Sequence, residues 1–60
     1  MGGVHFMLIV MLYASNNAVT TIKMDKLYNE ESSCSIAGDV LGSKLTHGTA
    51  FSFTYECMPQ

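Results

Sequence analysis

The fold is decided by residues 4–14, which read VHFMLIVMLYA. This apolar run is too short for a membrane-spanning helix, because such a helix needs about 20 apolar residues. A continuous apolar run that ends in turn residues is typical of a strand buried on both faces. The next residues, Ser15, Asn16 and Asn17, favour a turn, since asparagine tolerates left-handed backbone angles. We therefore predict a buried first strand and no membrane span.

A secretory signal peptide is the main alternative for this run, because signal peptides have an apolar region of about 7–15 residues. Residues 1–5 contain no Lys or Arg, so the charged segment that normally precedes that region is missing. The residues Ser-Asn-Asn-Ala at 15–18 also make a poor cleavage site. Under this alternative, residues 1–18 are the signal and the mature protein is a secreted, disulfide-bonded toxin or effector. The residues alone leave both interpretations open, and we favour the strand.

The residues after the turn predict a second strand, a helix and a third strand. Residues 18–27 and 50–57 alternate between the two faces at a period of two, which is typical of strands. A loop is predicted at residues 46–49, and Pro59 is expected to end the third strand. Together these elements predict a β-hairpin followed by a helix and a returning strand.

The predicted helix begins near residue 30, after Asn29 as its N-cap. Apolar residues recur at helical spacing, and two more are expected to widen the buried stripe. These are Cys34, Ala37, Leu41 and Leu45, with Ile36 and Val40 beside them. Gly42 is read as a stop, so the helix is expected to reach about residue 41, or residue 45 at most.

The fold class that follows is α+β, with the order β-β-α-β in one domain over residues 1–60. A strand–helix–strand crossover leaves the third strand parallel to the second. Placing the most apolar strand in the centre gives a three-stranded antiparallel sheet in the order 2-1-3, with the helix packed on one face. The alternative order 1-2-3 would leave residues 6–12 on an exposed edge, which promotes aggregation.

The central strand is predicted to carry apolar side chains on the face that the helix does not cover. These side chains are Met7, Ile9, Met11 and Tyr13. Only 13% of the residues are charged and 48% are hydrophobic, so little charge is available to shield an exposed apolar face. We therefore expect a second copy of the chain to cover it in a homodimer, with a host partner or the chain termini as alternatives.

The charge pattern excludes several classes of function. The net charge is −2, and the three basic residues Lys23, Lys26 and Lys44 are dispersed, so direct nucleic-acid binding is not expected. The two histidines and two cysteines lack the close pairs of zinc motifs, so we predict no metal and no cofactor. We also find no nucleophile with an orienting group, so we predict no catalytic residues and no enzyme.

Cys34 and Cys57 are both expected to point into the core, which is the geometric requirement for a disulfide. Two buried free thiols, packing as small apolar side chains, are the alternative. An oxidising compartment would favour the bond, whereas bacterial cytosol would favour the thiols. The residues do not decide between these two states.

The layout resembles small proteins encoded by bacteriophages and prophages, in which a Glu-x-x-Cys-x-x-Ala helix start precedes a strand ending in Cys-x-Pro. Glu31, Cys34 and Ala37 match the first motif, and Cys57 and Pro59 match the second. The resemblance implies a phage accessory protein that binds and inhibits a host factor, such as an anti-phage defence protein, in the bacterial cytoplasm. A secreted or periplasmic location is the alternative. The expected partner-contact residues are Glu31, Ser35, Asp39, Lys44 and His47.

Overall fold

The protein has the predicted order of elements in a computed structural model that describes residues 4–60. The elements are β1 (Phe6–Tyr13), β2 (Val19–Tyr28), α1 (Glu31–Thr46) and β3 (Ser52–Pro59). The three strands form an antiparallel sheet in the order β2-β1-β3, and α1 packs on one face. The predicted fold class and strand order are confirmed. Residues 1–3, which belong to both the predicted domain and the alternative signal, lie outside the described residues.

A tight turn joins β1 to β2 and sets their register. The Ala14 N–H donates to the Ala18 carbonyl at 2.9 Å, and the Ala18 N–H donates to Asn16 Oδ1 at 3.1 Å. Asn17 has a φ of 68°, a left-handed angle that asparagine adopts more easily than most residues. The turn brings Tyr13 opposite Val19, and this register determines which residues of β1 and β2 share a face of the sheet.

β2 contains an irregularity where it passes the middle of β1. Met7 pairs with Leu27 but Ile9 pairs with Lys23, so β2 has extra residues between these two pairs. A bulge of this kind bends an edge strand and interrupts its pairing. The Nζ atom of Lys26, within the bulge, lies 5.2 Å from the ring centroid of Tyr28.

The core lies between α1 and the covered face of the sheet. Leu8, Val10 and Cys34 are the buried hydrophobic residues, each at most 1% exposed. Half-buried side chains surround them, namely Phe6, Leu12, Met24, Tyr28, Ala37, Leu41, Tyr55 and Cys57. The core is small because one helix covers only one side of the sheet.

Two glycines let α1 approach the sheet closely. A Cβ on Gly38 would lie 2.6 Å from Tyr55 Cγ, and a Cβ on Gly42 would overlap the Phe53 ring. The prediction that Gly42 stops the helix is therefore wrong. Gly42 lies inside α1, which continues to Thr46, and the Thr46 hydroxyl donates to the Gly42 carbonyl at 2.8 Å.

Two further details of the predicted helix are wrong. Glu30, not Asn29, is the N-cap residue, and no side chain caps the first turn. Ile36 and Val40 do not widen the buried stripe, since they are 66% and 49% exposed. Ile36 follows Cys34 by two residues, which places it on the opposite side of a helix with 3.6 residues per turn.

Candidate interaction surfaces

The two cysteines lie at the centre of the covered side. Cys34 of α1 and Cys57 of β3 form a disulfide with a Cα–Cα distance of 6.1 Å. Cys57 pairs with Leu8 across the sheet, and the Cys34 side chain is fully buried. The bond therefore fastens the helix to the sheet within the core, and both sulfurs have a structural role.

No helix of the described residues lies over the opposite side of the sheet, and we call this side the open face. Cross-strand partners in an antiparallel pair point to the same side, so the register defines this face. β1 contributes Met7, Ile9, Met11 and Tyr13, which are the four residues predicted to form a dimer face. Their partners are Leu27, Lys23, Thr21 and Val19 on β2, and Met58, Glu56, Thr54 and Ser52 on β3.

The open face is a series of short rows across the sheet, each centred on β1. One end is apolar, with Met7 between Leu27 and Met58. The middle carries charge, with Ile9 between Lys23 and Glu56. The four central side chains are half-buried by their neighbours, although no helix or strand of the described chain covers them.

The other end of the open face is polar. The Tyr13 hydroxyl lies 3.3 Å from Thr54 Oγ1 and also donates to Met11 Sδ at 3.9 Å. These contacts give the Tyr13 hydroxyl partners within the chain, so a packed interface would not have to supply them.

The predicted partner-contact residues do not form one patch. Glu31, Ser35 and Asp39 follow each other at a spacing of four along one flank of α1. Lys44 lies on another flank, and His47 follows the end of the helix. Ser35 is half-buried, whereas the other four are exposed.

The outer side of α1 carries two apolar residues that the sequence pattern predicts to be buried. Ile36 and Val40 are one turn apart and exposed, with Asp39 beside them. The signal that could have found them is their spacing from Cys34 and Gly38, because residues two positions apart cannot face the same side of a helix. We call Ile36 and Val40 the helix pair.

Within residues 4–60 the surface is flat. No cavity opens in it, and no three His, Cys, Asp or Glu side chains lie together as metal ligands would. The 16-residue helix is not long and apolar enough to cross a membrane. The open face and the helix pair are therefore the surfaces of this part of the chain that call for an explanation.

Comparison with known proteins adds no functional residues. No protein-family model, curated protein or solved structure matches the chain. No site residue can be transferred from a relative, so a function must be inferred from the physical character of the two surfaces.

Proposed function

We propose that the protein is a non-catalytic binding protein that acts as a homodimer and inhibits a protein of a bacterial host. The observation that carries this proposal is the open face, where the central strand presents Met7, Ile9 and Met11 without a covering element. A contiguous apolar patch on a small protein marks an interaction site more often than it marks plain surface.

The shape of the surface supports a macromolecular partner. Small-molecule sites are concave and bury most of the ligand, whereas the described surface of this chain has no cavity. A flat sheet with apolar side chains at its centre instead suits another flat protein surface, as in the packing of two sheets about 10 Å apart. A protein partner is therefore the class of ligand that fits.

The helix side supplies the surface for the host protein. With a second copy on the open face, the helix pair remains exposed at each end of the assembly. Asp39, three residues after Ile36, and Lys44, four residues after Val40, border the helix pair with exposed charged groups. The resemblance to phage accessory proteins makes bacterial defence proteins the partner class to test first.

Affinity capture with the purified full chain tests this proposal. The bait is compared with an Ile36→Ser, Val40→Ser variant and with Val4→Ser, a control that removes an apolar side chain that is 56% exposed outside the elements. We expect a bacterial protein to bind the wild type and the control but not the helix-pair variant, and to bind again when both partners are purified. Equal recovery with all three baits, or no partner that binds in purified form, would contradict the proposal.

A secreted, disulfide-bonded peptide is the second candidate, and the Cys34–Cys57 bond favours it because disulfides persist in oxidising compartments. Removal of residues 1–18 would take away Leu8 and Val10, two of the three buried hydrophobic residues within residues 4–60. The disulfide thus supports an oxidising compartment, but it does not support cleavage after residue 18, which would remove β1. The intact mass of protein recovered from cells, with and without reductant, separates a full-length chain from one that begins near Val19.

A further inference from the structure

We propose that the second copy packs on the open face with its two-fold axis parallel to β1, so that Lys23 of each copy meets Glu56 of the other. This inference rests on the self-association proposed above and specifies its geometry. The assembly would be a six-stranded sandwich with the two helices on its outer sides.

The charged row of the open face carries the inference. Lys23 on β2 and Glu56 on β3 are both register partners of Ile9, so they flank it at the same height on opposite sides. Neighbouring strands are about 4.8 Å apart, which separates the two Cα atoms by roughly 10 Å. β1 lies between the two residues, so neither is the direct cross-strand neighbour of the other, and both side chains are exposed.

A two-fold axis can place the positive side of one open face over the negative side of the other. A rotation of 180° about an axis parallel to β1 keeps the height along the strand and exchanges left with right. It places β2 of one copy over β3 of the other and Ile9 over Ile9. Lys23 then faces Glu56 at two equivalent places, one on each side of the apolar centre.

The other two-fold axis in the plane of the interface gives the opposite result. An axis perpendicular to the strands, centred on Ile9, places β2 over β2 and β3 over β3. Lys23 would then face Lys23, and Glu56 would face Glu56, with like-charge repulsion at both places. The charges therefore select the axis that is parallel to β1.

The same axis also places similar side chains together in two of the other three rows. At the apolar end Leu27 faces Met58, and Met7 faces Met7, whose flexible side chains adapt to an irregular gap. Thr21 faces Thr54 near the polar end, where two hydroxyls can bond each other. No row places a charge against an apolar side chain.

The size of the face predicts how tightly the copies bind. Three strands of about eight residues give a flat footprint on the order of 14 by 26 Å, and side chains enlarge the accessible area. This is roughly 360 Å² per copy before side chains are counted, well below the about 800 Å² per partner of a standard interface, so we expect a weak dimer that dissociates on dilution.

A charge-exchange experiment by sedimentation velocity tests the geometry. Wild type, Lys23→Glu, Glu56→Lys and the double exchange are compared from micromolar to millimolar concentration, at low and high salt. Each single change places like charges together twice per dimer, so we expect roughly tenfold or more weakening of dimerisation. The double exchange restores both pairs and should return close to wild-type affinity. High salt should shrink the differences, because it screens exposed charges.

Lys44→Glu is the matched control, since it makes the same charge change on α1, away from the open face. Far-UV circular dichroism and an intact disulfide establish that each variant is folded. If the single changes leave the dimer affinity unaltered, or if the double exchange fails to restore it, this geometry is wrong although the chain still self-associates. A wild type that stays monomeric overturns both, whereas binding of the host protein is decided separately by the capture experiment.

Discussion

The two faces of β1 carry side chains of similar apolarity but end in different environments. On the covered face, Leu8 and Val10 are at most 1% exposed beneath α1. On the open face, Met7, Ile9 and Met11 remain half-buried. Neighbouring residues of one strand therefore differ because of what covers them and not because of their own hydrophobicity.

The two faces differ because a 60-residue chain has few helices and strands with which to cover its sheet. A domain of this size buries only about 60% of the surface that its unfolded chain exposes. Its one helix and one disulfide both stabilise the covered face. The second copy proposed above would cover the apolar side chains of β1 that α1 leaves uncovered on the open face.

Two adjacent residues of β1 give the most direct test of the difference between the covered face and the open face. Leu8→Ala should lower the free energy of unfolding by about 2–5 kcal/mol, because it leaves a cavity in a very small core. Ile9→Ala should lower the free energy of unfolding clearly less in dilute protein, because the open face is not covered by a second copy there. Denaturant unfolding at several protein concentrations measures both changes.

The concentration dependence separates the two positions further. The loss from Ile9→Ala should grow as dimers form, since the side chain is then buried, whereas the loss from Leu8→Ala is already present in the monomer. Equal losses for the two variants in dilute protein would show that the two faces are not different in the monomer.

The disulfide fastens the covered face, and its removal is the next largest expected effect. Replacing Cys34 and Cys57 by Ala removes a crosslink between residues that are 23 positions apart. We expect the free energy of unfolding to fall by about 3 kcal/mol, chiefly because the unfolded chain gains conformational entropy without the crosslink. Urea unfolding of wild type and the double variant measures the loss. Reductant should destabilise the wild type and leave the double variant unchanged; a reductant-sensitive double variant would mean that another cause is at work.

The broad fold could be predicted from the sequence because it depends on patterns that are local. The rule for crossover connections made the third strand parallel to the second, and the apolar run at residues 4–14 then placed the first strand between them in the order β2-β1-β3. The identity of the open-face residues followed from the period of two along β1. What could be predicted of the candidate site was therefore its central row.

The helix details could not be predicted because they depend on contacts between distant residues. Gly42 looks like a helix end in the sequence, and only its approach to Phe53 explains why it lies inside α1. The same close approach of Cys34, Gly38 and Gly42 to the sheet turns Ile36 outward. The Lys23–Ile9–Glu56 row also needed the structure, because the register of β3 against β1 is set across the helical crossover and not by a turn.

Gly42→Ala tests how closely the covered face is packed. Alanine favours a helix over glycine by about 1 kcal/mol, but its Cβ would overlap the Phe53 ring. We expect the overlap to dominate and the variant to lose about 1–3 kcal/mol of stability. Ser43→Ala, at the next and exposed position, is the control and should be neutral or slightly stabilising. A stabilised Gly42→Ala would mean that α1 can move away from the sheet at little cost.

The smallest expected effect concerns the turn that decides which residues of β1 lie on which face. Asn17 has a φ of 68°, so Asn17→Ala should cost about 1 kcal/mol, while Asn17→Gly should be close to neutral because glycine adopts this angle freely. Thermal unfolding of the two variants side by side measures the difference. If the turn alone holds the register, Asn17→Ala should also raise hydrogen exchange at Tyr13 and Val19, which pair next to the turn. Equal stability of the two variants would mean that the burial of Leu8 and Val10 sets the register without help from the turn.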